Sequence, residues 1–315
     1  MTVIPAPRYY ATIADMQGKA LLLFSAAILA GFPSAAQVDL KAELKRKFET
    51  ELHRADAAFD GVAGFQFIDL TSGEKIGFNA DSIFPTASVI KVPVLIEFFR
   101  QAEKKPGMPA ERRAITSKNQ TAGSGILKIL GDGTSALALE DLARLMINLS
   151  DNTASNIVID EVGIANVNSL IASLGLRQMK LARRMMDSAA QARGEDNASS
   201  PADGAAIMAR VARCDLPLSK ESCAKVRQFL ETPQDAHPAK DPIPHNIPIA
   251  FKWGSNEGVA TVWAIVNQPG QPYVMSIMTT YGGDAGPTIR ALSAAAWTYY
   301  SRLAKANSFG ARVLR

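Results

Sequence analysis

Histidine is scarce in this 315-residue chain, with only His53, His237 and His245, and the cysteines number two, Cys214 and Cys223. No pair among these five has the spacing of a zinc site, and His237 and His245 both fall in a proline-rich stretch, which argues against a metallohydrolase. A Ser-His-Asp mechanism likewise has few candidates, so a hydrolytic base here would have to be another residue. The chain also lacks a run of Lys and Arg interleaved with aromatics, and its net charge of +4 is mild for this length. Nucleic acid is therefore not an expected partner. An apolar fraction of 47% excludes intrinsic disorder. The apolar run over residues 20–32 has thirteen residues, short of the ~20 that span a bilayer.

That run follows Lys19 and precedes Pro33-Ser34-Ala35-Ala36, with small residues at the −3 and −1 positions of a cut after Ala36. The pattern is that of a secretory signal, with a buried core helix or membrane anchor as the alternative. Met16 would make a more ordinary start than Met1. The expectation is a signal over residues 1–36 and a periplasmic or secreted protein with no stable membrane span. The remaining 279 residues carry 32 basic and 29 acidic side chains. In an exported protein Cys214 and Cys223, flanking a short segment between helices, suit a bridged turn, though free thiols fit the sequence as well.

Strand-like alternation occurs at both ends of the remaining chain and helical periodicity between them. Residues 39–58 place Leu40, Leu44, Phe48, Leu52 and Ala55 at helical spacing. Residues 64–70 and 75–80 read as a hairpin about Thr71-Ser72-Gly73-Glu74. From Ser88 to Glu231 the pattern is mainly helical. Five prolines between residues 233 and 248 mark an irregular connector. Strands are expected at 249–253, 259–267 and 273–281, and a final helix at 285–305. This predicts an α/β fold: an antiparallel sheet built from both chain ends, flanked by helices, with an inserted all-α subdomain. The expected division of residues 37–315 is an α/β part (37–86 and 245–315) and an all-α part (87–244).

Three short motifs carry chemistry. Ser88-Val89-Ile90-Lys91 is Ser-x-x-Lys, a pattern expected roughly once by chance at this length and matched again at Ser72 and Ser222. Only Ser88 opens a long apolar helix. A serine in a first helical turn lies near unpaired N–H groups and the positive end of the dipole, which favour a developing oxyanion. Lys91 shares its face, and apolar neighbours would lower the pKa of a lysine and make it a base. A capping serine and a surface lysine would give the same letters. Ser150-Asp151-Asn152 is rarer and sits between two helical patterns, where Asp151 suits a helix N-cap. Lys252-Trp253-Gly254 is Lys-x-Gly on a late strand.

The order of these motifs resembles the penicillin-recognising serine hydrolases, and class A β-lactamases in particular. The resemblance is strongest in Ala87-Ser88-Val89-Ile90-Lys91-Val92-Pro93 and in residues 150–160. It implies that Ser88 is the acylated nucleophile and that Lys91 is its base or sustains the proton network. Ser150 would pass a proton to the leaving nitrogen, and Asn152 would bind the substrate's side-chain amide. Lys252 would attract the substrate carboxylate, and the N–H groups of Ser88 and Ser255, beside Gly254, would form the oxyanion hole. No cofactor or metal is implied. The expected partner is a small β-lactam or an acyl-D-Ala-D-Ala peptide, taken up by a monomer.

Two departures stand out. The middle residue of Lys-x-Gly is usually a small hydroxyl residue, and Trp253 would lose that role and crowd the cleft, with Ser255 or Thr261 as compensation. The Glu-x-x-x-Asn loop that activates water in class A enzymes is missing from residues 181–197, where Asp187 and Glu195 are the available carboxylates. Asp187 is the expected base, or else it pairs with Arg183 or Arg184. Three functions follow: β-lactam hydrolysis through an acyl-enzyme on Ser88, a D-Ala-D-Ala peptidase or related hydrolase, or a non-catalytic binding member of the fold.

Overall fold

A computed structural model describes residues 39–232 and 236–313. The expected export signal and its cleavage point lie outside them. The chain opens with helix α1 (Leu40–Ala57), which buries Phe48, Leu52 and Ala55 along one stripe. Strands β1 (Val62–Asp69) and β2 (Lys75–Phe78) follow as the expected hairpin, then the two-residue strand β3 (Phe84–Pro85). A 3₁₀ turn, Ala87–Ile90, leads into α2 (Lys91–Lys104). Pro93 falls in the first turn of α2, where a missing N–H costs nothing.

The short ribbon of β4 (Arg112–Ile115) and β5 (Ser135–Ala138) precedes helices α3 (Leu139–Asn148), α4 (Asn152–Val162) and α5 (Ile164–Ser173). A loop then carries α6 (Ser188–Ala192) and β6 (Ala198–Ser199), which pairs with β3. Helices α7 (Pro201–Arg213) and α8 (Lys220–Glu231) are joined by a disulfide between Cys214 and Cys223. Strands β7 (Ile249–Asn256), β8 (Val259–Val266) and β9 (Tyr273–Thr280) and helix α9 (Gly286–Ala304) complete the elements.

The sheet is antiparallel with strand order β2-β1-β9-β8-β7, so its two halves come from opposite ends of the chain, as expected. Its central strands are buried on both faces, and alternate residues enter different cores. Phe65, Phe67, Val262, Met275 and Ile277 join Phe48 of α1 and Leu292 and Tyr300 of α9 on one side. Trp263, Ile265 and Val274 join the core of α2 and the inserted helices on the other. Helix α7 lies directly on this second face: a side chain at Gly204 would overlap the Trp263 indole and come within 2.7 Å of Ser276 Oγ. The helical segment thus shares a core with the sheet. Of the connector, Ala239 and Ile243 are buried beside Phe251.

Candidate active site

The site forms where the 3₁₀ turn meets edge strand β7 and the start of α4. Two fully buried lysines point at one serine. Lys91 Nζ donates to Ser150 O at 2.8 Å, Ser150 Oγ at 3.1 Å and Asn152 Oδ1 at 3.0 Å. Lys252 Nζ donates to the same Ser150 Oγ at 3.1 Å and to Trp253 O at 2.7 Å. With its lone pairs facing two amines, the Ser150 hydroxyl has its own proton free to give outward, a suitable arrangement for protonating a leaving group.

Neither lysine has the basicity of a surface amine. Burial, reinforced by the charge of Lys252 and opposed by Asp151, holds Lys91 well below its ordinary range. Burial alone lowers Lys252 to about 7. Burial disfavours the charged form of both amines.

Ser88 sits in the 3₁₀ turn, partly exposed, three residues before Lys91. As a first-turn residue its amide is among those a helix leaves without an internal partner. Strand β7 presses directly on this turn. A side chain at Gly254 would overlap Ser88 N and lie 3.0 Å from both Ala87 Cβ and Ser88 Cα. Glycine in Lys-x-Gly is therefore what allows the strand to approach the serine amide, and Ser255 follows it at the exposed end of β7. Thr261 Oγ1 ties the other side of the junction, donating to Thr86 O at 2.8 Å.

The loop facing these residues is held by α4. Asp151 caps that helix, accepting from Ala154 N at 2.9 Å, and its second oxygen accepts from Ile126 N at 2.7 Å and Leu127 N at 2.9 Å. Asn152 Nδ2 donates to Ala122 O at 3.0 Å. One turn along the same face, Asn156 clamps Met185 from both sides, its Nδ2 on Met185 O at 3.1 Å and its Oδ1 accepting from Met185 N at 2.7 Å. Asn197 fixes the same loop through Ala182 N and Arg183 N. Asn156 and Asn197 were not anticipated from the sequence. The one signal was the i, i+4 spacing of Asn152 and Asn156.

The structure brings Ser150, Asn152 and Lys252 into direct contact with, or one bond from, Lys91, and sets Gly254 against Ser88. Asp187 immediately precedes α6. It is exposed, caps α6 by accepting from Ala190 N at 2.9 Å, and pairs with neither arginine. Arg183 pairs with Asp196 and Arg184 with Asp160, while Glu195 pairs with Arg193. Trp253 packs against the core shared with α1 and α9, its ring 5.3 Å from that of His237, and Lys252 Nζ lies over the indole at 5.7 Å. Thr261 is fully buried and committed to Thr86 O, which leaves Ser255 as the exposed hydroxyl beside Gly254.

Residues 44–300 match the model of the beta-lactamase enzyme family, and the chain belongs to that family. Beta-lactamase L2 of Stenotrophomonas maltophilia is 26% identical over 164 residues, 51% of this chain and 54% of that protein. A beta-lactamase of Streptomyces albus G is 29% identical over 137 residues, 42% and 43% of the two chains. The matched region thus spans about half the length of these curated relatives. Among solved structures, a beta-lactamase from Sphaerobacter thermophilus superposes with a TM-score of 0.72 at 30% identity, covering 80% of this chain and 96% of that one. PBP-A gives 0.73 at 25% identity, covering 81% and 96%. A variant of PBP-A, captured as an acyl-enzyme with penicillin G, gives 0.73 at 26% identity, covering 82% and 97%.

Proposed function

We propose that the protein is an exported, monomeric serine hydrolase that opens β-lactams by forming an acyl-enzyme on Ser88. The observation that carries this reading is the convergence of Lys91 and Lys252 on Ser150 Oγ, beside the turn that presents Ser88. Neutral Lys91 takes the Ser88 proton as Oγ attacks the lactam carbonyl. The N–H groups of Ser88 and Ser255 receive the developing oxyanion. Ser150 delivers its proton to the departing nitrogen and takes the one Lys91 acquired from Ser88 across their 3.1 Å contact, Lys252 attracts the substrate carboxylate, and Asn152 holds the side-chain amide. The disulfide between Cys214 and Cys223 supports an exported protein.

A second reading, a penicillin-binding peptidase acting on acyl-D-Ala-D-Ala, has one observation in its favour. The three carboxylates of the loop, Asp187, Glu195 and Asp196, are engaged in a helix cap or in ion pairs with arginines and are not free to activate water. Acylation with slow release is the consequence. Mixing the protein with a chromogenic cephalosporin and following both colour and intact mass separates the readings. Turnover supports a lactamase and a persistent adduct a peptidase. Absence of both turnover and adduct supports a binding protein. Ser88→Ala must abolish adduct and turnover together, and activity surviving that change refutes the assignment.

A further inference from the structure

Helices α1 and α9 pack on the sheet face opposite the inserted helices and leave a groove between them. Val62 pairs with Thr280, so the end of α1 and the beginning of α9 lie together and the two helices run antiparallel. Midway along, the Phe48 and Tyr299 rings stack at 4.5 Å. These rings and Ala55, all buried, form the floor, and Ala291, Ala294 and Ala295 of α9 form one wall. The groove encloses about 740 Å³ and runs from Leu44 to Ala58, roughly 21 Å at the rise of an α-helix. Volume over length gives a mean cross-section of about 35 Å². That admits one hydrocarbon chain, and it is too narrow for a third helix, about 10–12 Å across with its side chains.

Charge is distributed unevenly along the rim. Toward Ala58, Glu51 and Arg54 neutralise each other, with Arg54 Nη1 at 2.9 and 2.8 Å from the two carboxylate oxygens. Beyond Tyr299, Lys47 and Arg302 stand exposed on the two facing helices. Lys47 has only a long contact to Glu43, at 3.8 Å, and Arg302 pairs with no carboxylate among the described residues. An apolar channel with two weakly neutralised cations at one end is complementary to an anionic head carrying one hydrocarbon tail.

We propose that the α1–α9 groove binds a single-chain anionic amphiphile. Its tail lies along Phe48, Ala55 and the alanines of α9, and its carboxylate sits between Lys47 and Arg302. One tail fills the cross-section, which selects a free long-chain carboxylate over a two-chain lipid. The proposal does not depend on the chemistry assigned to Ser88.

Titration calorimetry with monomeric dodecanoate tests it. Binding should saturate at one molecule per protein. Octanoate should bind at least tenfold more weakly, since each buried methylene is worth a factor of about three to four. Dodecyltrimethylammonium, with the same tail and the opposite charge, should also bind at least tenfold more weakly. Arg302→Glu should weaken dodecanoate at least fivefold, and Ala295→Trp, which fills the groove, at least tenfold. Arg177→Glu, at an exposed cation outside the groove, should leave affinity within twofold. Arg302 is exposed, so its exchange leaves the fold intact, and a thermal melt checks that Ala295→Trp folds. The proposal is overturned by no saturable binding of dodecanoate, by equal affinity for the cationic amphiphile, or by affinity unmoved in Arg302→Glu or in folded Ala295→Trp. Binding to phosphatidylglycerol vesicles without binding of free dodecanoate also overturns it, because that result puts a membrane surface on this face.

Discussion

Gly254→Ala is the most exacting test of how strand β7 and the serine turn fit together. The φ angle at Gly254 lies outside the left-handed region, so the backbone itself accepts alanine. The obstacle is contact. The added methyl would lie 3.0 Å from Ala87 Cβ and Ser88 Cα and closer still to Ser88 N, where carbon atoms in contact need about 3.5–4.0 Å. All three partners belong to the backbone or its first carbon, so no side chain can rotate away. Either β7 or the 3₁₀ turn must shift by roughly 0.5–1 Å, the scale of misplacement that costs about 100-fold in rate. Overpacking of this kind also costs about 1–3 kcal/mol, which lowers Tm by several degrees. Gly107→Ala is the matched control, since its added methyl meets nothing within 4 Å at φ −75°. The measurements are acylation of Ser88 by a chromogenic cephalosporin and a thermal melt. Wild-type acylation and Tm in Gly254→Ala would show that the close approach is not what positions Ser88.

Two further expectations concern the buried polar groups. Lys252 titrates near 7 in the folded protein against 10.5 in an unfolded chain, so between those values the unfolded state binds more protons and the contribution of Lys252 to stability rises with pH. The Tm of Lys252→Met relative to wild type should therefore fall as pH goes from 6 to 9, and a difference that stays flat contradicts the depressed pKa. Asp151→Ala would orphan the N–H groups of Ile126, Leu127 and Ala154 at once. Urea unfolding should show a loss of about 3–5 kcal/mol, with Asp151→Asn losing less because one oxygen remains.

Much of this was legible in the sequence, and the failures have physical reasons. Strands β1, β8 and β9 were legible because each is central and largely apolar. Strand β7 runs to Asn256, beyond the expected end at Trp253, because all eight of its residues pair with β8. Gly254-Ser255-Asn256 has turn-like composition, and only the partner strand overrides it. The placement of Trp253 was available in principle. Lys252 and Gly254 share parity on a strand and Trp253 has the other, which places the indole with the core of Phe251, although the lysine's long side chain still brings its Nζ to 5.7 Å from the ring. The asparagines that pin the 181–197 loop were not legible, since Asn156 and Asn197 look like ordinary polar residues until the segments they bridge are folded together. The cap that Asp187 forms was not legible either, because sequence does not show that Ser188–Ala192 forms a helix.

Backbone strain was equally invisible, and it marks the site more sharply than any motif. Of the six non-glycine residues with left-handed φ among the described residues, Ala87, Ser150 and Met186 border the candidate cleft, at +46°, +51° and +62°. Ala87 directly precedes Ser88, Ser150 is the residue on which both lysines converge, and Met186 lies beside Asn152. Each conformation costs about 1–2 kcal/mol, yet none of the three is the glycine that would relieve it. At Ser150 the reason is chemical, since glycine would remove the hydroxyl that separates two amines whose charges oppose one another. At Ala87 a side chain helps define the turn that Gly254 presses upon, and a freer residue would leave Ser88 less fixed. Strain of this kind persists only where surrounding bonds over-determine it. The fully buried lysines, the Asp151 cap and the Asn156 clamp supply those bonds, so the polar network that would do the chemistry is also what holds its strained residues in place.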